Sequence, residues 1–285
     1  MYLCERYKTD LNSLNVFTQF FKEMPKVFAL NEGFYSVDQS KEFVPFNPST
    51  DDPKSRPASI FVHVQPFLVV LNDDLILLDT GLGYKNDRGE LIIHENIRKY
   101  GYEPADITKV IMSHLHFDHA GGMMMNTNGN WEPAFPNADY YIQSDELAFA
   151  LSKDSKSYRK EPLEQLRRYT GLQLMEGDGW INSAISFEIT GAHCPYHQVI
   201  KIHENGVTLF YGGDVMPEAI QVTRRFIAKY DFDGRLAMEL REKFSKQAIA
   251  ESWKCLMYHD HKNGIVEFEN FETGIRIKKS SFVLE

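Results

Sequence analysis

The strongest β pattern in the chain lies between residues 59 and 80. Ile60-Phe61-Val62-His63-Val64 leads into Phe67-Leu68-Val69-Val70-Leu71, and Leu75-Ile76-Leu77-Leu78-Asp79 returns after Asn72-Asp73-Asp74. Two apolar runs around a polar turn predict a hairpin. Upstream, Phe17, Phe20, Phe21 and Met24 recur at helical spacing ahead of Pro25. Residues 27–30 and 33–37 predict short strands joined by Asn31-Glu32. Residues 44–58 hold Pro45, Pro48, Pro53 and Pro57 with Asp51-Asp52, and predict an exposed loop.

Downstream, residues 91–100 predict a helix that stops before Gly101, and Lys109-Val110-Ile111-Met112 predicts a buried strand. Ala120-Gly121-Gly122 allows a tight turn, and Met123-Met124-Met125 starts a helix or loop. Residues 139–143 predict a strand. The charged stretch 144–170 predicts helix, either as a lid or as an outer layer. A second β set follows. Residues 185–189 predict a strand, and 199–203 with 207–211 a hairpin about Glu204-Asn205-Gly206. Residues 234–252 predict a helix and 254–258 a short strand. Residues 264–278 predict a last hairpin about Glu272-Thr273-Gly274. No Ser/Gly-rich linker separates the two β-rich halves. The pattern therefore predicts one domain over 1–285, with two sheets packed face to face and helices outside.

Composition narrows the partners. Hydrophobic residues make up 43% of the 285 and aromatics 13%, enough for a substantial core. A net charge of -9 argues against a nucleic-acid partner, whose phosphates need Lys and Arg, and against an anionic membrane surface. The charged start Met1–Lys8 does not read as a secretory leader, and no apolar run reaches about 18 residues. Cys4, Cys194 and Cys255 are odd in number and far apart, which fits a reducing compartment. The cytoplasm and a small-molecule substrate are the expectations.

The chemistry concentrates in residues 113–119, Ser-His-Leu-His-Phe-Asp-His. Three of the ten histidines, His114, His116 and His119, stand here with Asp118, just after an apolar strand. A strand end is a rigid mount for a metal. His193, Asp214 and His259 also fall at the ends of apolar strands. Seven nitrogen and oxygen donors exceed one tetrahedral site and suit two metals that share a carboxylate. Imidazole plus carboxylate favours Zn, Fe, Mn or Co over Cu(I). Asp79, in Asp79-Thr80-Gly81, either supports such a site by hydrogen bonding or is satisfied by its own turn. His63, His94 and His203 read as surface or core residues. The Met run reads as packing.

These stretches, in this order, resemble the motifs of the metallo-β-lactamase superfamily. His114-Leu-His116-Phe-Asp118-His119 is similar to its HxHxDH signature, and Asp79-Thr80-Gly81 to its upstream strand end. Thr190-Gly191-Ala192-His193 with Pro195 and His197 is similar to its GHTPGH-type turn, and Gly212-Gly213-Asp214 to its bridging-aspartate strand. The resemblance implies an α+β fold, a four-layer αββα sandwich of two mixed sheets with helices outside. It implies one metal on His114, His116 and His193 and a second on Asp118, His119 and His259, with Asp214 bridging. His259 is preferred to His261 because it follows the strand directly, and His197 is given a supporting role. The metals implied are two divalent ions, zinc first, with iron or manganese as alternatives.

Residues 116–122 and 134–143 resemble the branch of N-acyl homoserine lactonases and methyl-parathion-hydrolase-like enzymes, where a homodimer is the expected assembly. Cys194 and Tyr196 depart from that branch's turn, and no tyrosine follows Asp214 three residues on. The activity implied is hydrolysis. A hydroxide held between two metals opens a lactone, ester or related electrophile, with Asp118 taking or relaying a proton. The alternative is an iron-dependent redox enzyme of the same superfamily, similar to sulfur dioxygenases. The pocket walls are expected from loops near 31–46, 131–136 and 144–175.

Overall fold

The structure, a computed structural model, describes residues 24–272 and 274–278; the helix expected around Phe17–Phe21 and Cys4 lie outside them. Two large sheets form the centre. The first has six strands in the order Lys26–Ala29, Phe67–Val70, Leu75–Leu78, Lys109–Ile111, Asp139–Gln143 and Leu172–Met175. The second has seven, in the order Gly179–Trp180, Ile185–Ile189, Gln198–Glu204, Val207–Tyr211, Lys254–Leu256, Ile265–Phe271 and Gly274–Lys278. Both sheets are mixed.

Alternation along the strands builds the layers. Phe67, Val69, Ile76, Leu78 and Ile111 point from the first sheet toward Ile200, Ile202, Leu209, Tyr211 and Leu256 of the second, and this inner layer excludes water. The opposite face of the first sheet, with Leu68, Leu77, Val110 and Tyr140, packs on helices Ile92–Lys99, Ser144–Ser152 and Lys160–Leu166. The opposite face of the second, with Val199, Phe210 and Cys255, packs on Ala237, Phe244 and Ala248 of helix Gly234–Glu251. The result is the expected αββα order. Strands buried on both faces explain the unbroken apolar run Leu75–Leu78. Helix Gly234–Glu251 starts cleanly because Asp233 accepts from Arg235 N and Leu236 N at its first turn.

Several local expectations are corrected. The stretch 44–58 is largely exposed, but Phe43–Pro45 pairs with Gly33–Val37, which also pairs with Ile60–Val64, in a separate three-stranded sheet. Ile60–Val64 therefore belongs to a different sheet from the strands it precedes. The Met123–Met125 run is neither helix nor loop: Met124–Thr127 and Asn130–Pro133 form a hairpin. The stretch 144–170 is broken into two short helices by residues 153–159. Among the described residues no helix is long and apolar enough to cross a membrane.

What matters for the site is strand direction. Leu78 pairs in parallel with Ile111, and Tyr211 in parallel with Leu256. Parallel neighbours end on the same edge. Asp79, Ser113-His114, Gly212-Gly213-Asp214 and Tyr258-His259 therefore emerge together, from both sheets, at one rim of the sandwich.

Glu32 sits behind that rim. It is buried, its Oε2 accepts from Leu82 N at 2.7 Å, and its Oε1 has no partner. Burial, opposed by the Leu82 hydrogen bond, pushes its carboxyl up to about 8. The folded protein then holds a proton that the unfolded chain has lost between pH 4.5 and 8, so Glu32 subtracts stability as pH rises through that window. At about 1.4 kcal/mol per pH unit the loss is several kcal/mol at most. Glu32→Gln should gain stability relative to wild type from pH 5 to pH 8.5 in urea unfolding; a difference that does not change with pH would contradict the burial argument.

Candidate metal centre

Asp79 organises the rim. Its φ of 57° is left-handed, which is strained for a residue with a side chain, and the carboxylate is fully buried. Oδ1 accepts from Ser113 N at 2.7 Å and Oδ2 from Ser113 Oγ at 2.6 Å. His119 Nδ1 lies 2.7 Å from Oδ2, and the Tyr211 hydroxyl donates to the same oxygen. Asp79 thus supports the site, and its oxygens are too fully used to serve as free donors themselves.

Around it the seven candidates come together in two groups. His114 Nε2 and His193 Nε2 each lie 3.0 Å from His116 Nδ1, so three ring nitrogens converge on one point. Asp118, His119 and His259 form the second group. His119 Nε2 is 3.7 Å and His259 Nε2 3.6 Å from Asp118 Oδ2. Asp214 stands between the groups. Its Oδ1 is 3.1 Å from His119 Nε2 and 3.2 Å from His259 Nε2, while its Oδ2 is 3.2 Å from His193 Nε2.

Local sequence explains how each side chain is aimed. His116 is the extended residue before the short helix Phe117–Ala120, so Asp118 and His119 follow on a new axis. His259 Nδ1 is fixed by the carbonyl of His63 at 2.6 Å, which leaves Nε2 facing the cluster. His261 is exposed and packs beside Phe34 and His63, outside the cluster. His63 and His94 are buried, with His63 bonded to Asn31 and His94 stacked edge-on against Phe135; His203 bonds Thr208 at the surface. His197 does not enter the cluster: its Nδ1 meets Thr190 Oγ1 at 2.8 Å and its Nε2 accepts from Asp214 N at 3.1 Å.

Two carboxylates were missed by sequence reasoning. Asp231 lies 2.9 Å from His193 Nδ1 and is almost wholly buried. It arrives there because Phe232 N donates to His193 O and Asp233 N to Ala192 O, two backbone bonds that no motif announces. Glu146 accepts from Leu115 N at 3.0 Å, between His114 and His116, and from the Tyr158 hydroxyl at 3.3 Å, and Cys194 Sγ donates to its other oxygen at 3.5 Å. It ties the two histidine-bearing loops together. Its only sequence signal was an acid inside a helix stretch with apolar neighbours.

The charges are complementary to cations. Burial alone would raise the Asp214 carboxyl, but His119, His259 and His193 outweigh it and hold it well below the usual carboxylate range. Burial disfavours a proton on His119, yet Asp214, Asp118 and Asp79 hold it well above the usual imidazole value; His259 is raised in the same way. His114 and His116 are held well below it by burial and by neighbouring imidazoles, which keeps their nitrogens free to donate lone pairs. His119 Nε2 and Asp214 Oδ1 are buried and face each other at 3.1 Å without a well-formed hydrogen bond, beside the space a cation would fill. The donors fit two divalent ions.

An αββα sandwich with a buried histidine–aspartate cluster on its strand-end rim is a recognisable class. The chain belongs to the metallo-β-lactamase superfamily, whose family model matches residues 60–259. An N-acyl homoserine lactonase of Bacillus thuringiensis is 36% identical over 106 residues, 37% of each chain. Another from Bacillus sp is 35% identical over 167 residues, 58% of this chain and 60% of the relative. The chain thus matches well under two thirds of these relatives' lengths. Among solved structures, a dizinc quorum-quenching lactonase in complex with a product superposes with a TM-score of 0.72 at 21% identity, covering 93% of this chain and 97% of that one. A probable metal-dependent hydrolase from Staphylococcus aureus gives 0.68 at 21% identity, covering 90% and 98%.

Gly213 tests the packing behind Asp214. Its φ is +47°, and a Cβ there would meet His197 Nε2 at 2.6 Å and Ser113 Cβ at 2.8 Å. Gly213→Ala should destabilise by about 2–3 kcal/mol or more through left-handed strain plus the clash, read as a lower urea midpoint.

Proposed function

We propose that this protein is a metal-dependent hydrolase that opens a lactone or ester at a dinuclear zinc centre. The observation that supports it best is Asp214, whose two oxygens face different histidine groups, as a carboxylate shared by two cations would. His114, His116 and His193 would hold one ion, and Asp118, His119 and His259 the other. The named activity of the Bacillus relatives and the dizinc description of a structural neighbour point to the same chemistry.

What two such ions supply when bound is Lewis-acid polarisation of a substrate oxygen and a water whose pKa falls to about 7. The chain's own part is positioning and proton handling. Asp118 lines the pocket beside His116, His193 and His259, and its carboxylate is partly exposed there. It is placed to accept a proton from an attacking water and deliver it to a leaving oxygen. Phe43, Phe117, Phe149 and Val62 line the same cavity, of about 400 Å³, and would hold an apolar acyl portion while excluding bulk water. Asp231, bonded to His193 Nδ1, fixes that ring with Nε2 forward, and Glu146 keeps the loops bearing His116 and His193 in register.

Metal analysis of protein prepared without chelator should find about two divalent ions per chain, with turnover of short lactones or aryl esters. Fewer than about one ion per fully folded chain would sink the reading. His116→Ala and Asp214→Ala should each lose metal and activity while keeping the fold by circular dichroism. Asp231→Ala should weaken metal binding about 10–100-fold in competition with a chromophoric chelator; unchanged affinity would remove Asp231 from the site's support.

A further inference from the structure

The pocket over the cluster has an unexpected charge. In a chain of net charge -9, three lysines, Lys41, Lys153 and Lys156, line it, and among the described residues its only lining carboxylates are Asp118 and Asp214 of the cluster. Elsewhere some lysines are paired, Lys109 with Asp74, Lys243 with Glu188 and Lys254 with Glu267, while others stand alone on the outer surface. Among the described residues, none of the three pocket lysines has a carboxylate at ion-pair distance. Asp38, which senses Lys156, is exposed and accepts instead from Ser40 N at 2.8 Å. Lys41 and residues of loop 153–157 line the same pocket, so turn 38–41 faces that loop. Lys153 reaches over the Phe149 ring at 5.0 Å, so its stem lies on the pocket's aromatic wall.

Lys41 is the most committed of the three. Its φ is +60°, in a turn closed by Lys41 N donating to Asp38 O at 3.1 Å. Glycine or asparagine would take that left-handed position at lower cost. The strained backbone turns the lysine inward: Asp38 and Gln39 are exposed, whereas Lys41 is half-buried and lines the same pocket as His116. Unpaired cations gathered beside a site for two dications repel one another unless a ligand brings negative charge.

We propose that the substrate carries an anionic group, a carboxylate or phosphate, away from its scissile acyl bond, and that Lys41, flanked by Lys153 and Lys156, recognises it. This rests on the hydrolase reading for the acyl bond, but the recognition itself can be measured without turnover. Lysine suits the task as a flexible point charge that accepts either anion, and the apolar wall of Val37, Ile60, Val62 and Phe43 spans the distance between the two ends of such a molecule.

The test uses the zinc-loaded protein and three non-hydrolysed probes measured by calorimetry: hexananilide, the monoanilide of adipic acid, and its phosphonate-tipped counterpart. Turnover of the matching phenyl esters is followed in parallel. At about 0.05 M salt an anionic anilide should bind at least about fivefold tighter than the neutral one, and about 0.5 M salt should erase the difference. Whichever anion binds tighter identifies the group. Lys41→Gln should abolish the preference, read as the ratio of anionic to neutral affinity, whereas Lys246→Gln on the outer helix should retain it. Equal affinities in wild type, or a preference that survives Lys41→Gln, overturns the proposal. Esters turned over without charge preference would leave the hydrolase and remove the anion site. Charge-selective binding with no turnover of any ester would do the reverse.

Discussion

One buried carboxylate holds the rim together. Asp79 leaves the first sheet at Leu78, reaches Ser113 and His119 after the neighbouring parallel strand, and takes the Tyr211 hydroxyl from the second sheet. A carboxylate removed from water is stable only when its lone pairs are met. Four donors meet it here, and each belongs to an element that also aims a candidate ligand. Ser113 precedes His114, His119 is one itself, and Tyr211 lies three residues before Asp214. The geometry of the cluster is in this sense a by-product of satisfying Asp79. The left-handed backbone of Asp79 shows that the fold accepts strain to keep the arrangement.

The cluster itself has the opposite character. It holds buried polar atoms that lack well-formed hydrogen bonds, and its charges are balanced mainly by one another, with Asp79 and Asp231 behind them. Burying such a set is unfavourable unless cations or protons complete it. The surrounding structure supplies the compensation: His259 braced on the His63 carbonyl, His193 on Asp231, Asp214 on His197, and Leu115 on Glu146. Each outer support holds its ligand-bearing residue by at least one short hydrogen bond, although Asp231 keeps one oxygen unpaired.

Much of this was legible in the sequence, and the reasons are physical. The seven candidates sit at the ends of apolar strands, a pattern the sequence carries, and parallel pairing brings those ends to one edge; their division into two groups came from the family resemblance. The expectation of His259 rather than His261 rested on distance to the strand end, and the His63 carbonyl turns His259 toward the cluster. Strand Leu172–Met175 was not legible, because two of its four residues face solvent and its pattern carries no buried stripe. The hairpin at Met124–Thr127 was hidden by methionine, a residue equally at home in helix, strand and core. Asp231 and Glu146 were invisible for a different reason: their roles depend on contacts with residues 38 and 31 to 48 positions away in sequence, and nothing in their neighbours marks them. Lys41 shows the same limit, since only the left-handed turn turns it inward.

Each histidine group draws on both sheets. His114 and His116 come from the first and His193 from the second; Asp118 and His119 come from the first and His259 from the second. Any ion shared within a group is therefore a rivet through the sandwich, closing loops of chain that span most of the fold. Such an ion would add to the inner apolar layer a second link between the sheets, while the apolar layer alone still holds the fold. For such a molecule, metal supply in its surroundings would add to the stability of the folded state as well as set what the site can do.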